Sequence, residues 1–379
     1  MPGTLKTWPG WPEYEHPGSK DHTDPDFVQA KRDIIAEYGE LALTEAWNKT
    51  CKALEQITAD LALHGRDVVP VFEAEKILAD GLSAEQTDSL RNFGCCIVRG
   101  VLGEEEAAQR YEELKHYIAE NCDQVQGWPE SSPSMLLLYD SPTQIAIRTD
   151  PRHLKLQTLL NGVWSGYAGE LSPDPLLYTD GVRDRPPGQS FLGLGPHIDA
   201  GSLTRWADPK YREVYRHVFS GHPERLDSFN IALRAEANQF HFSGPAHSTV
   251  LRTFQGWTAL TKTASSQGSI KLYPNVSLAI SYVLLRPFFR PPKNKDDVMD
   301  ATKWTFDSES SWFPGTFKPQ SQYLSPTSHP HLRLKECLTD LPAIRAGDTV
   351  WWHADVSVMC CDATKRRANV YADVSCCRS

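Results

Sequence analysis

From residue 178 onward the chain is built of short apolar runs cut by proline- and glycine-rich turns, and this texture limits the fold more than any single motif. The runs at 190–194, 229–234, 249–261, 269–273, 347–352 and 369–374 are bounded by turn residues and predict strands. The 27 prolines and 11 tryptophans fit a strand- and loop-rich body better than a helical bundle. Ahead of this portion the pattern differs. Across 25–63, Phe27, Ile34, Ile35, Tyr38, Leu41, Trp47, Leu54, Ile57 and Leu61 recur mostly at three- and four-residue steps, which predicts a long amphipathic helix. Helices are also expected at 73–92, 104–118 and 151–165, and strands at 92–100, 135–139 and 144–148. The apolar segment 278–289 predicts a buried helix broken at Pro287, 205–221 a partly helical insert, and 291–333 a long loop or insertion. The expected class is therefore α+β: a helical N-terminal layer, about 25–175, packed on a twisted antiparallel barrel from about 176 to 379. Both parts belong to one domain, preceded by an irregular arm over 1–24.

Bulk properties exclude several functions. The formal net charge of −9 disfavours a nucleic-acid partner. No run of 18 apolar residues offers a membrane span, and the polar, acidic start lacks the basic and apolar parts of a secretory signal. Nine cysteines, among them the adjacent pairs Cys95–Cys96, Cys360–Cys361 and Cys376–Cys377, lack zinc-site spacing and read as reduced thiols of a cytoplasmic protein. Neither a dinucleotide or phosphate loop nor a G-x-S-x-G nucleophile elbow occurs.

The segment 191–206 carries the candidate chemistry. An apolar lead-in stops at Gly195-Pro196, and His197 and Asp199 follow with Ile198 between them. In extended backbone, residues two apart share a face, so an imidazole and a carboxylate converge. That pair supplies two legs of an octahedral iron(II) site, which usually takes a second histidine and leaves positions for cosubstrate and oxygen. The simpler alternative is a hydrogen bond at a strand end. In 345–355, Gly347-Asp348 makes a turn, Asp348 caps it, and a strand leads to His353, the one histidine after His331. Gln255 and Thr258 stand out as polar groups in an otherwise apolar strand, and Trp206, Trp257, Trp351 and Trp352 are candidate pocket walls.

Four blocks carry a specific resemblance: Y-T-D-G-V-R-D-R-P-P-G at 178–188, L-G-P-H-I-D-A-G-S-L-T-R-W at 194–206, R-T-F-Q-G-W-T-A-L at 252–260 and G-D-T-V-W-W-H-A-D-V at 347–356. From about 25 to about 371 the chain resembles the YbiU-like family, a domain of unknown function similar in fold to the iron(II)/2-oxoglutarate oxygenases. The resemblance implies a jelly-roll (double-stranded β-helix, cupin-like) core and a facial triad of two histidines and a carboxylate. His197 and Asp199 fall on its proximal pair. Its distal histidine falls on position 358, where this chain has Val358. Either His353 replaces that ligand, or the metal keeps two protein ligands. A 2-oxoglutarate carboxylate would pair with Arg366 or Arg367, with Arg252 and Lys271 in reserve. Arg183, Arg185, Trp206, Gln255, Trp257 and Thr258 are the candidate substrate contacts. The implied activity is oxidation, with molecular oxygen, of an unactivated C–H bond of a small molecule such as an amino acid or a natural-product intermediate of secondary metabolism. Two alternatives stand beside it: an impaired relative that binds a small acid or a protein partner, and a cupin-type metal enzyme that does not use 2-oxoglutarate.

Overall fold

The computed structural model describes residues 24–360 except 129, 131, 170, 177–179, 186–194, 200–202, 245–246, 249 and 266–268, together with the backbone of 369–378. Its longest element is the helix Pro25–His64. Asp24 caps it by accepting from the Asp26 amide, Pro25 occupies the first turn, and Gly65 ends it. Gly39 leaves the helical path at φ 83°, and two residues later Leu41, expected on the apolar stripe, is 74% exposed. The stripe otherwise holds: Phe27, Ile34, Trp47, Leu54 and Leu61 are buried. Trp47 stacks on Phe289 and Tyr282 and donates to the Ala301 carbonyl at 3.2 Å. The facing helix, Val276–Leu285, is apolar nearly all round and buried accordingly; it turns into a 3-10 segment over Arg286–Phe288 at Pro287. No helix among the described residues is long and apolar enough to cross a membrane.

Strands are numbered in chain order. Eight pair in the order β1 (Val71–Glu73), β2 (Cys95–Arg99), β13 (Thr349–His353), β7 (Leu251–Ala259), β15 (Asn369–Arg378), β5 (Val182–Arg185), β4 (Met135–Leu136) and β3 (Gly127–Trp128). Five more pair in the order β11 (Gln322–Tyr323), β6 (His197–Ile198), β14 (Val358–Cys360), β8 (Ile270–Leu272) and β12 (Thr339–Asp340), while β9 (Phe289–Arg290) and β10 (Thr305–Phe306) form a separate pair.

The α+β class agrees with the sequence pattern, but the jelly-roll or double-stranded β-helix barrel does not. Both larger sheets are open, with β1 and β3 at the edges of one and β11 and β12 at the edges of the other. Among the described residues no pairing closes either sheet on itself. Strands β6, β11 and β12 have two residues each, too short for twist to accumulate into a rolled wall. The edge pair β1–β2 is parallel, a further departure from an antiparallel barrel.

Two local expectations also change. Residues 144–148 lie in the helix Pro142–Arg148, not a strand: Ser141 and Gln144 cap each other's backbone reciprocally, with Pro142 in the first turn. Residues 231–234 lie in the helix Ile231–Ala235, capped by Asn230. The expected strand at 190–194 lies outside the described residues.

Within the large sheet, β13 lies between β2 and β7. Trp351 lies opposite Gly256, where a Cβ would meet the Val350 carbonyl oxygen at 2.4 Å and the Trp351 ring at 2.6 Å, so only glycine fits. Just past β13, Asp355 is fully buried. It accepts from Arg205 at 3.0 Å and from the Tyr215 hydroxyl at 3.0 Å, and it also pairs with Arg234. Burial alone would raise its pKa, yet the Arg234 and Arg205 guanidiniums hold it far below the carboxylate range. A depressed carboxylate adds stability above its unfolded pKa and loses it only as pH falls through the lower folded value. The network is therefore fully charged near neutrality. Asp355→Asn strands two buried guanidiniums, and we expect a loss of about 3–5 kcal/mol in urea denaturation at pH 7. A loss below about 1 kcal/mol, the scale of an exposed pair, would contradict this account.

Candidate functional site

Strand β6 places the H-x-D segment. Ile198 packs into the helical core with Trp47 and Tyr282 and has no exposed surface, which turns His197 and Asp199 to the opposite side. His197 Nδ1 lies 2.7 Å from the Gly195 carbonyl oxygen, which can only accept, so Nδ1 carries a proton; Nε2 faces Asp199 and donates to its carboxylate when the ring is doubly protonated. The distance from Nε2 to Asp199 Oδ1 is 3.0 Å. Gln255 Nε2 donates to the other oxygen, Oδ2, at 2.6 Å. Gln255 belongs to β7, so this bond joins the end of β6 in the smaller sheet to the large sheet.

Burial alone would lower the His197 pKa, but the Asp199 carboxylate outweighs it and raises the value, with Arg183 opposing. Burial alone would raise the Asp199 pKa, but His197, Arg252 and Gln255 together hold it well below the usual range. Donor spacing also suits a metal. Neighbouring corners of an octahedron with bonds of about 2.1 Å lie about 3 Å apart, and His197 Nε2 and Asp199 Oδ1 match that edge.

Among the described residues, no third His, Cys, Asp or Glu donor stands beside them. Val358 is the cross-strand partner of His197 on β14, on the same face of the sheet and 2% exposed. The position that the resemblance assigns to the distal histidine is thus a direct neighbour of His197, and it carries a hydrocarbon. Among the described residues no group of three or more His, Cys, Asp or Glu is placed to hold a metal. His353 pairs with Phe254, whose side chain points to the opposite face of β7 from Gln255. Its Nε2 meets the Ser228 carbonyl at 3.0 Å, its Nδ1 accepts from the Asp355 amide at 3.0 Å, and its ring stacks on Trp164. Both ring nitrogens are therefore occupied away from the His197–Asp199 pair.

The other predicted residues divide in the same way. Trp257 alternates onto the face of Gln255, and Arg183 reaches that face through Tyr371, which pairs with both Ala259 and Arg183; Arg185 follows by alternation. Arg252 acts on Asp199 through its charge. Thr258 lies on the far face, 3.5 Å from His153 Nε2. Trp206 is sealed in the helical core, donating to the Leu284 carbonyl at 2.9 Å. Lys271 points away from Leu272 and Val358 and pairs with Asp340 at 3.1 Å. Arg366 and Arg367 lie outside the described residues. Sequence reasoning missed the Gly195 carbonyl and the Asp355 network. The first could have been suspected from the Gly-Pro stop before His197; the second joins residues more than a hundred positions apart and leaves no local signal.

A model of the Gig2-like family matches residues 21–371. The uncharacterized protein YbiU of Escherichia coli (strain K12) is 33% identical over 310 residues, covering 78% of this chain and 69% of YbiU. The crystal structure of GlcNAc Inducible Gene 2, GIG2 (DUF1479), from Candida albicans superposes with a TM-score of 0.83 at 23% identity, covering 93% of this chain and 76% of that one. At that identity the likeness is one of fold. The resemblance drawn from the H-x-D and W-W-H-x-D blocks is borne out at the level of the family. A distant structural likeness reaches the epimerase SnoN, solved with Fe3+, alpha ketoglutarate and nogalamycin RO: TM-score 0.40, 15% identity, 80% of this chain and 82% of that one. No chemistry is transferred across that distance.

The placement of His353 has a measurable consequence. Burial, followed by the Arg234 charge, lowers its pKa to about 3, and burial lowers that of His153 to about 4. Unfolded histidine titrates near 6.5, so below that pH the unfolded chain binds more protons and stability falls on acidification. We expect the urea midpoint to decline from pH 6.5 to pH 4.5, and His353→Gln to flatten the decline. An unchanged slope in that variant would remove His353 from the account.

Proposed function

The chain belongs to the Gig2-like family, and we propose that it is an oxygenase-type protein that binds iron(II), 2-oxoglutarate and a small-molecule substrate at the His197–Asp199 pair. One observation carries this proposal: an imidazole nitrogen and a carboxylate oxygen converge at the spacing of neighbouring metal ligands, each braced from behind. When bound, iron and 2-oxoglutarate supply, with molecular oxygen, an oxidant able to attack an unactivated C–H bond. The protein's own part is positional. Gly195 fixes the tautomer of His197, and Gln255 fixes the rotation of Asp199. Arg252 gives this face positive charge suited to a carboxylate. Its Nε, Gln255 Oε1 and Trp352 Nε1 are buried without a hydrogen-bond partner among the described residues, a pattern that favours a polar ligand or water at this face. The amino-acid or natural-product nature of the substrate belongs to the same proposal and follows from family likeness alone.

Val358 favours a second reading, in which the chain keeps the acid-binding face and turns over slowly or not at all. Oxygen uptake coupled to succinate release, assayed with iron(II) and 2-oxoglutarate, separates the two. For the pair itself, His197→Ala and Asp199→Ala should each abolish iron retention after anaerobic loading in the presence of 2-oxoglutarate. Unchanged iron stoichiometry in both variants would refute the assignment.

A further inference from the structure

We infer that the open face of β3 and β4 is a binding shelf for the apolar arm of an amphipathic carboxylic acid whose polar end lies toward Arg183. Strand register leads there. Met135 on β4 pairs with Trp128 on β3 and with Arg183 on β5, and β15 links Arg183 to Ala259 on β7. Cross-strand partners share a face, so Trp128 and Met135 stand on the face that carries Gln255 and Trp257. The other face of these strands is closed: Leu136, Leu138 and Val182 pack in a core with Leu114 and Ile147 of the neighbouring helices. Alternation puts Leu137 opposite that core, and its amide continues the ladder to the Gln126 carbonyl at 2.8 Å. Tyr139 follows Leu138 in the same sense. On the open face Trp128 is 50% exposed, Leu137 51% and Tyr139 44%. A strand with one face in water normally carries polar residues there, yet β4 and its continuation are apolar on both faces. Single exposed apolar side chains need no explanation; three that adjoin on one face mark a binding surface.

Size and charge select the occupant. From Trp128 to Arg183 is two strand spacings, about 10 Å, and from Met135 to Tyr139 is about 13 Å along the chain. Such a patch, on the order of 100 Å2, is a small fraction of the roughly 800 Å2 per partner that a stable protein interface needs. It suits one alkyl or aryl arm. At its inner end stands Arg183, whose positive charge reaches His197, and beyond it Arg252, whose charge reaches Asp199. An apolar surface that ends in cations fits a carboxylate head on an apolar arm. The shelf itself needs no metal. The inference rests on the oxygenase reading above only in making the bound acid a substrate: an acyl or aryl-alkyl acid, its arm on β3 and β4 and its polar end toward the His197–Asp199 pair.

The test uses the full-length chain without added metal and straight-chain monocarboxylates from butanoate to dodecanoate, each kept below its micelle concentration and titrated by calorimetry. Affinity should rise by roughly two- to fourfold per added methylene until the shelf is covered. Leu137→Ser and Trp128→Ser, both at exposed positions, should flatten the series and weaken dodecanoate on the order of tenfold. Arg183→Gln should weaken all members by a similar factor, which places the carboxylate. Affinity independent of chain length in the unaltered chain would overturn the inference, as would a length dependence that survives in both shelf variants. Self-association in sedimentation that Leu137→Ser abolishes, with no acid bound, would give the face to a second copy and overturn it as well. Flotation with phosphatidylcholine vesicles, lost in the same variant and again with no acid bound, would give it to a lipid surface with the same result. Iron retention judges the oxygenase reading separately. Length-dependent binding in a chain that retains no iron keeps the shelf and removes that reading; retained iron with length-independent binding does the reverse.

Discussion

A single buried carboxylate holds the two halves of this molecule in register. Asp355 sits in the turn between β13 of the large sheet and β14 of the small one, with Arg205, Arg234 and Tyr215 converging on it from the helical segments that follow β6. Its own amide bonds back to His353, which fixes the turn from the strand side. Charges without solvent are tolerated only when their partners are in place. The arrangement therefore accepts few alternatives: the 204–235 segment must lie against the turn, and β14 must leave the turn in one direction. That direction sets Val358 beside His197.

The candidate pair inherits its geometry from this frame. His197 is on the small sheet, Asp199 just past its strand, and Gln255 on the large sheet, so the 2.6 Å bond between Asp199 and Gln255 ties the end of β6 to β7. Gly256, next to Gln255, lets Trp351 lie flat against β7 and keeps β13 at close distance. His197 and Asp199 are thus supported by neighbours that do not touch them.

The convergence of His197, Asp199 and Gln255 was legible in the sequence, and the fold less so. The H-x-D spacing in extended backbone sufficed to bring His197 and Asp199 to one face, and the polar Gln255 in an apolar strand did turn inward to Asp199. His353 was harder to read. A histidine ending a strand can point to either face, and the choice depends on the register of β13 against β7, which single-sequence reasoning does not supply. The barrel expectation failed for a related reason: apolar runs fix that strands form, while sheet closure depends on strand length and on pairings distant in sequence. Strands of two residues, such as β6 and β11, give almost no periodic signal at all. The 144–148 helix, by contrast, was readable: Ser141-Pro142-Thr143-Gln144 is a helix start whose capping logic outweighs the β-leaning Ile145 and Ile147.

The order of the large sheet bears on how the chain is made. Strand β15, Asn369–Arg378, is late in the sequence yet central in the sheet, bonded to β7 on one side and β5 on the other. During synthesis, which runs from the N-terminus, β5 with its appended β4 and β3 must wait for almost two hundred further residues before its partner edge exists. Until then both β5 and β7 present an unpaired edge to whatever else is nearby. Removing β15 would leave two fragments of a sheet where one is needed.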